Sequence, residues 1–234
     1  AVNIDTVYQK VLILANKEQR GYITPQEFNL LASKAQLETF ENYFHGIKMA
    51  ELKPKNQRNY ADNIEMIEEK LHPFHVDTTV ETSTASLTLP TDIYKIIDIT
   101  RSGNKVTQVN KSQVAYTENN PLTKATTTRS VFVREDSGII TIYPAPDQPL
   151  IGPPEEEFEV SYYKKPINPK WAYVVVNGKA LYNANASHLQ NFELHTSEEE
   201  NLVTKILIYA GITIKQPDLQ QSGAGSIQLN KQEQ

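Results

Sequence analysis

The stretch from Asn16 to Glu27 has the spacing of a twelve-residue calcium-binding loop. Gly21 stands at its turn position, Ile23 at its central apolar position, and Glu27 at the position of the closing bidentate carboxylate. Position five is Arg20, however, whose guanidinium is always charged and has no acceptor atom. Because Asn16 also stands where the motif has Asp, we reject an EF-hand between Asn16 and Glu27.

The same stretch fits a turn between two helices. Gly21 would end the first helix in a left-handed conformation. Thr24 then provides a side-chain N-cap, Pro25 the first helical position, and Glu27 the third position after the cap, which completes a capping box. This interpretation explains these residues without a ligand, and we prefer it.

Other chemistry-bearing residues also have simpler interpretations. His72 and His75 have a spacing that metals use, but Pro73 breaks any helix there and no carboxylate is adjacent. The Glu triplets at 155–157 and 198–200 fit an exposed loop and a helix N-terminus rather than the paired carboxylates of a glycoside hydrolase. We therefore expect no catalytic residue, no metal site, no cofactor and no enzymatic activity.

A group of aromatic residues lies between positions 162 and 182. Such rings can form a platform for sugars, but they more often pack in cores and interfaces. The group consists of Tyr162, Tyr163, Trp171, Tyr173 and Tyr182. It leaves a glycan- or receptor-binding module open as an alternative function.

The composition restricts the class of protein. The chain has 234 residues, 39% of them hydrophobic and 22% charged, as in a folded protein with a sizeable core. It has no Cys, which excludes disulfides and thiolate zinc sites, and neither a secretory signal nor a membrane span is expected. The net charge of −5 argues against a protein that grips nucleic acid, although DNA can still pass along its surface.

The hydrophobic pattern predicts an α+β fold. We expect a helical part at 1–74, an antiparallel β region at 75–196, a C-terminal helix at 197–214 that returns to the helical bundle, and an extended tail at 215–234. The three N-terminal helices are predicted to begin near Ile4, at Pro25 and near Tyr60, with Gly46 ending the second. Gly211 is predicted to end the C-terminal helix, which begins with a capping box at Ser197.

Short strands with turn signals between them fill the predicted β region. The strands are expected at 84–90, 93–100, 105–109, 131–133, 139–143, 158–163 and 173–176. Hairpin turns are predicted at 101–104 and 135–138, and the stretch 144–157 reads as an exposed loop rich in Pro and Glu.

The tail has too few apolar residues to fold alone. We therefore expect residues 220–234 to dock on a neighbouring chain. The predicted interface residues of the tail are Gln216, Pro217, Leu219, Ile227 and Leu229.

Three segments resemble virion neck proteins of tailed phages, especially of crAss-like and related short-tailed phages. Residues 7–29 are similar to the N-terminal helical hairpin of those proteins. Residues 86–99 contain a Leu-Pro-x-Asp strand entry, from Leu89 to Asp92, that is common in head-to-tail adaptor and tail-tubular proteins. Residues 191–219 resemble their ending, in which a helix leads into a Gly turn and a Pro-Asp tail.

The resemblance implies a structural protein of the virion, made in the host cytoplasm. Such a protein forms a dodecameric ring in the neck, and the ring joins the portal to the tail and surrounds the DNA channel. Its expected partners are copies of itself, the portal protein, other neck and tail proteins, and double-stranded DNA that passes without specific binding. No membrane partner is expected, and no catalytic residue is carried over.

Overall fold

The computed structural model describes the chain except for residues 18–21, 53–58, 83, 136–137, 147–155 and 214–234. The described residues form two compact units. The first contains Ala1–Pro73 and the described residues from Pro166 onward, and the second is Phe74–Lys165. The described residues 166–196, which the sequence predicts as part of the β region, therefore cluster with the helices. The fold is α+β, as the sequence predicts, and its detailed arrangement differs in the ways given below.

The first unit contains four helices: α1 (Ile4–Lys17), α2 (Pro25–Leu52), α3 (Asn59–Leu71) and α5 (Glu199–Thr213). The capping box that begins α2 is present. The Glu27 carboxylate accepts hydrogen bonds from the backbone N–H and hydroxyl of Thr24 at 3.0 and 2.8 Å, and the Thr24 hydroxyl accepts from the Glu27 N–H at 3.3 Å. Asn3 caps α1, since its side-chain oxygen accepts from the N–H groups of Asp5 and Thr6.

The prediction that Gly46 ends α2 is wrong, because this helix continues to Leu52. A β-carbon at Gly46 would lie 3.1 Å from the Cδ1 atom of Ile67 on α3. Gly46 therefore allows α3 to pack closely against α2.

Helix α5 lies against α1 and α2, as expected for a helix that returns to the bundle. Its start differs from the prediction: a short 3₁₀ turn, Thr196–Glu198, precedes it, and the His195 side chain accepts the Ser197 N–H. The helix also continues past Gly211 to Thr213. A single Gly lowers helix stability by about 1 kcal/mol relative to Ala, which the packing of a buried helix can outweigh.

The second unit contains two four-stranded sheets. One has the strand order β1-β8-β3-β4, and the other the order β2-β7-β6-β5. The strands are β1 (His75–Thr82), β2 (Ser86–Thr88), β3 (Ile93–Arg101), β4 (Asn104–Lys105), β5 (Thr107–Gln108), β6 (Val131–Arg134), β7 (Ile139–Tyr143) and β8 (Glu156–Lys164). Both predicted hairpins are present, β3 with β4 and β6 with β7.

Alternate side chains from both sheets form one hydrophobic core. Its buried members are Leu87, Leu89, Ile99, Val106, Phe132, Ile140, Ile142, Phe158, Val160 and Tyr162. Because residues two apart on a strand point to the same side, this alternation leaves the polar residues of β8, such as Glu157 and Glu159, outside.

Several features of this unit depart from the prediction. Strand β1 lies before the first predicted strand, which was expected at 84–90. Strand β5 pairs with β6 in parallel, so the region is not wholly antiparallel. A helix that the sequence analysis missed, α4 (Lys111–Asn119), lies in the connection between those two strands. Glu156 and Glu157 belong to β8 rather than to a loop, since the Glu156 carboxylate pairs with the buried Arg101.

Candidate interaction surface

A two-stranded hairpin of β9 (Tyr173–Val176) and β10 (Lys179–Tyr182) belongs to the helical unit. Its strands are antiparallel, and Val174 lies opposite Leu181. Asn177 and Gly178 link them with φ angles of 50° and 75°, as a two-residue type I′ turn requires. Asn-Gly is the preferred sequence for this turn, so the local sequence fixes the register of the hairpin.

Stacked rings support the base of this hairpin. Trp171 is buried, and the rings of Tyr173 and Tyr182 stack on it with centroid distances of 5.7 and 5.9 Å. The ring of Tyr8, on α1, lies 4.3 Å from the Trp171 ring. The aromatic cluster therefore connects both strands of the hairpin to the helices.

Trp171 also forms hydrogen bonds with residues of two helices. The indole Nε1 of Trp171 donates to Asp5 Oδ1 at 2.8 Å. The backbone N–H of Trp171 donates to Asn29 Oδ1 at 2.7 Å, and its carbonyl oxygen accepts from Asn29 Nδ2 at 3.2 Å. Helices α1 and α2 thus both hold the residue from which the hairpin emerges.

The strands above this base expose apolar side chains. Val174 and Val176 lie on one face of the hairpin with Leu181 and with Lys179, which is opposite Val176, and the three apolar side chains are 48–50% exposed. We call these three residues the apolar face. Val175 lies on the opposite face, which it shares with Tyr173, and is 65% exposed.

Such a surface is typical of binding. Single exposed apolar residues are common, but a contiguous apolar patch on a protein usually marks an interaction site. β9 also has only one neighbouring strand among the described residues, so its outer edge is open for pairing. The hairpin can therefore bind another chain through both side chains and backbone.

The sequence pattern predicts β9 but not the exposed surface of the hairpin. A signal was present in the sequence. A half-buried strand alternates apolar and polar residues, whereas Val174, Val175 and Val176 are consecutive. In a two-stranded hairpin at the surface, such a run must leave apolar side chains exposed.

The residues of the proposed sugar platform are engaged in packing. Tyr162 is buried in the core of the second unit, and Trp171 is buried beneath the hairpin. Tyr173 and Tyr182 stack on Trp171. Burial therefore removes Tyr162 and Trp171 from any exposed ring surface.

The remaining predicted site residues either have a structural role or lie outside the described residues. All five predicted tail residues, Gln216, Pro217, Leu219, Ile227 and Leu229, lie outside the described residues, and so do Arg20 and Gly21. Hydrogen bonds from Thr24 lower the pKa of Glu27, which serves the capping box. In the described part of the chain, no group of three or more His, Asp or Glu residues is arranged to hold a metal.

The Glu triplet at 198–200 binds lysines from two other helices. Lys70, on α3, contacts the buried Glu198 at 2.8 Å, and Lys10, on α1, contacts Glu199 at 2.7 Å. Burial opposes ionisation of Glu198, but hydrogen bonds from Lys70 and Asn201 and the charge of Lys70 outweigh it, so its pKa is lowered. Burial and the Glu198 carboxylate raise the pKa of Tyr43. The triplet stabilises the bundle, as its interpretation as a helix N-terminus implies.

The exposed apolar hairpin is the kind of surface through which proteins bind other proteins. The chain belongs to the SU10 adaptor protein family, whose family model matches residues 56–186, more than half of the chain. This is a family of phage head-to-tail adaptors, so the chain is a structural adaptor of the phage neck that interacts with other neck and tail proteins. The match includes the whole second unit and the hairpin.

The comparison with curated proteins gives no significant match. Among the described helices, none combines the length and hydrophobicity that crossing a lipid bilayer would require.

Proposed function

We propose that twelve copies of this adaptor form a ring in the neck, which joins the portal to the tail and surrounds the DNA channel. The virion is that of a crAss-like or related short-tailed phage, as the resemblance of residues 7–29 implies. The protein works by binding, without turnover of a substrate.

The hairpin is the observation that carries this proposal. Its apolar face is exposed in the single chain, and burial of each exposed aliphatic side chain would contribute about 1 kcal/mol or more to association. Its base is fixed to α1 and α2 through Trp171, so little conformational entropy is lost when a partner binds. A ring closes when such a patch meets a different patch on the next copy.

The charge of the chain fits passage of DNA. At −5 per copy, a ring of this protein repels the phosphate backbone overall and does not retain it. A channel that guides DNA during packaging and ejection requires such weak interaction.

Cryo-electron microscopy of the intact virion tests the proposal. We expect twelve copies around the particle axis, between portal and tail, with an opening wide enough for duplex DNA. Copies placed at the periphery of the tail, or a neck position without an axial opening, would contradict it.

A further inference from the structure

We propose that residues 226–230 of one copy add to the open edge of β9 in the next copy, as a third strand of the hairpin. Ile227 and Leu229 would then lie beside Val174 and Val176 on the apolar face. This inference rests on the proposed ring, because it requires copies held side by side.

The edge of β9 lacks the usual protection. Edge strands normally carry charges, Pro or bulges that prevent pairing with another chain. In the second unit, the edge strand β1 carries the charged residues Asp77 and Glu81. β9 consists of Tyr and three Val and pairs regularly along its length, so it is open to an added strand.

The tail contains a segment that matches this edge. Residues 226–230 read Ser-Ile-Gln-Leu-Asn, in which apolar and polar residues alternate as in a strand with one buried face. Ile227 and Leu229 are two positions apart, as are Val174 and Val176, so all four can share one face of a three-stranded sheet. The segment is uncharged.

The number of residues between α5 and this segment sets how far the segment can extend from its own helix. Fourteen positions separate Thr213 from Ile227, which span up to about 45 Å when extended. Ser222-Gly223-Ala224-Gly225 immediately precedes the segment and has the small-residue composition of linkers between domains. The tail and the hairpin are two different patches on one chain, which is the kind of pair that closes a ring.

Peptide binding to the full-length chain tests the contact. The full-length chain serves as the receptor and carries Ile227→Asp and Leu229→Asp, so that its own tail does not occupy the hairpin. A fluorescent peptide of residues 217–234 is titrated into this receptor. We expect saturable binding that weakens at least tenfold when the receptor also carries Val174→Asp and Val176→Asp. Val175→Asp is the matched control on the opposite face of the same strand and should change the affinity less than twofold.

Equal weakening by the Val175 variant and the double variant would overturn the inference, as would no binding of the peptide to a receptor that melts like the unsubstituted chain. Thermal melting of each receptor confirms that it is folded.

Cysteine crosslinking distinguishes a neighbour from the same chain, since the protein has no Cys of its own. We expect chains with Val175→Cys, mixed with chains with Gln228→Cys, to form disulfide-linked dimers. If a chain carrying both substitutions forms only internal crosslinks even inside the particle, docking between copies is refuted. A ring whose hairpins are covered by another protein refutes this inference alone, whereas absence of the ring refutes the proposed function.

Discussion

The indole Nε1 of Trp171 donates a hydrogen bond to the Asp5 carboxylate at 2.8 Å, although 166 positions separate the two residues in the sequence. Trp171 lies two positions before β9, and Asp5 lies in the first turn of α1. The contact therefore fixes the base of the exposed hairpin to the helix at the opposite end of the chain.

Asp5→Ala should destabilise the protein by about 1–2 kcal/mol, because it leaves a buried indole N–H without its acceptor. Asp5→Asn keeps an oxygen at the same position and should cost less than half as much. Urea unfolding followed by Trp fluorescence measures both, since the chain has a single Trp. Equal losses of unfolding free energy in the two variants would show that Asp5 stabilises the protein through its negative charge at the helix N-terminus and not through the hydrogen bond.

Lys70→Met should lower the free energy of unfolding by about 2–3 kcal/mol, because it leaves the buried Glu198 carboxylate without its cation. Lys10→Met is a matched control. Lys10 also joins a helix to the Glu triplet, but it lies at the surface, where ion pairs contribute little. We expect no measurable shift of its urea midpoint. Similar losses of unfolding free energy in both variants would show that burial of Glu198 does not increase the contribution of its ion pair to stability.

The same carboxylate makes stability depend on pH. The pKa of Glu198 is lowered from 4.5 in the folded state, so its ionised form is favoured there. Its contribution is fully present above pH 4.5 and is lost as the pH falls through the lowered value. The difference in unfolding free energy between the unsubstituted chain and Glu198→Gln should therefore shrink below pH 4.5.

Denaturant titrations between pH 3 and pH 7 measure this difference. Lys70→Met should flatten the same part of the profile, because the hydrogen bond and the charge that lower the pKa are removed. Parallel profiles for the unsubstituted chain and Glu198→Gln would contradict the prediction.

Local patterns were enough to predict much of the fold. The apolar spacing in α1, the Thr24 capping box and the strands β7 and β9 depend on neighbours within a few positions, and the structure confirms all of them. The role of Gly46 depends on Ile67, a residue on a different helix. Gly allows both a helix end and a close helix contact, and the sequence alone did not distinguish them.

The candidate site was harder to predict for the same reason. The hydrogen bonds of Trp171 with Asp5 and Asn29 join residues more than 140 positions apart in the sequence. Local sequence patterns do not report such contacts, and the stretch from Pro166 onward was therefore predicted as part of the β region. The Val run of β9 was visible, but its exposure follows from the two-stranded hairpin that contains it. Tertiary context decided whether those side chains form core or surface.

The buried Arg101 side chain forms a set of hydrogen bonds in the second unit that a lysine cannot reproduce. Its guanidinium donates two bonds of 2.6 Å to Glu156 and further bonds to Ser130 Oγ and the Pro144 carbonyl oxygen. Arg101→Lys keeps the charge but loses the bidentate geometry, and should cost about 2–3 kcal/mol in urea unfolding. Arg134→Lys, at an exposed position of β6, should change stability by less than about 0.5 kcal/mol. If Arg101→Lys leaves the free energy of unfolding unchanged, the positive charge at this position is sufficient and the bidentate hydrogen bonds are not needed for stability.

The hairpins β3–β4 and β9–β10 turn in the same way but with different residues. Ser102 and Gly103 have φ angles of 48° and 79°, close to those of Asn177 and Gly178. Asn tolerates the left-handed region better than Ser, so Ser102→Asn should stabilise the protein by about 0.5 kcal/mol. Asn177→Ser should destabilise it by a similar amount. Thermal unfolding of both variants tests the pair. Shifts of the same sign would show that contacts outside the turn, rather than its backbone conformation, set the preference at these positions.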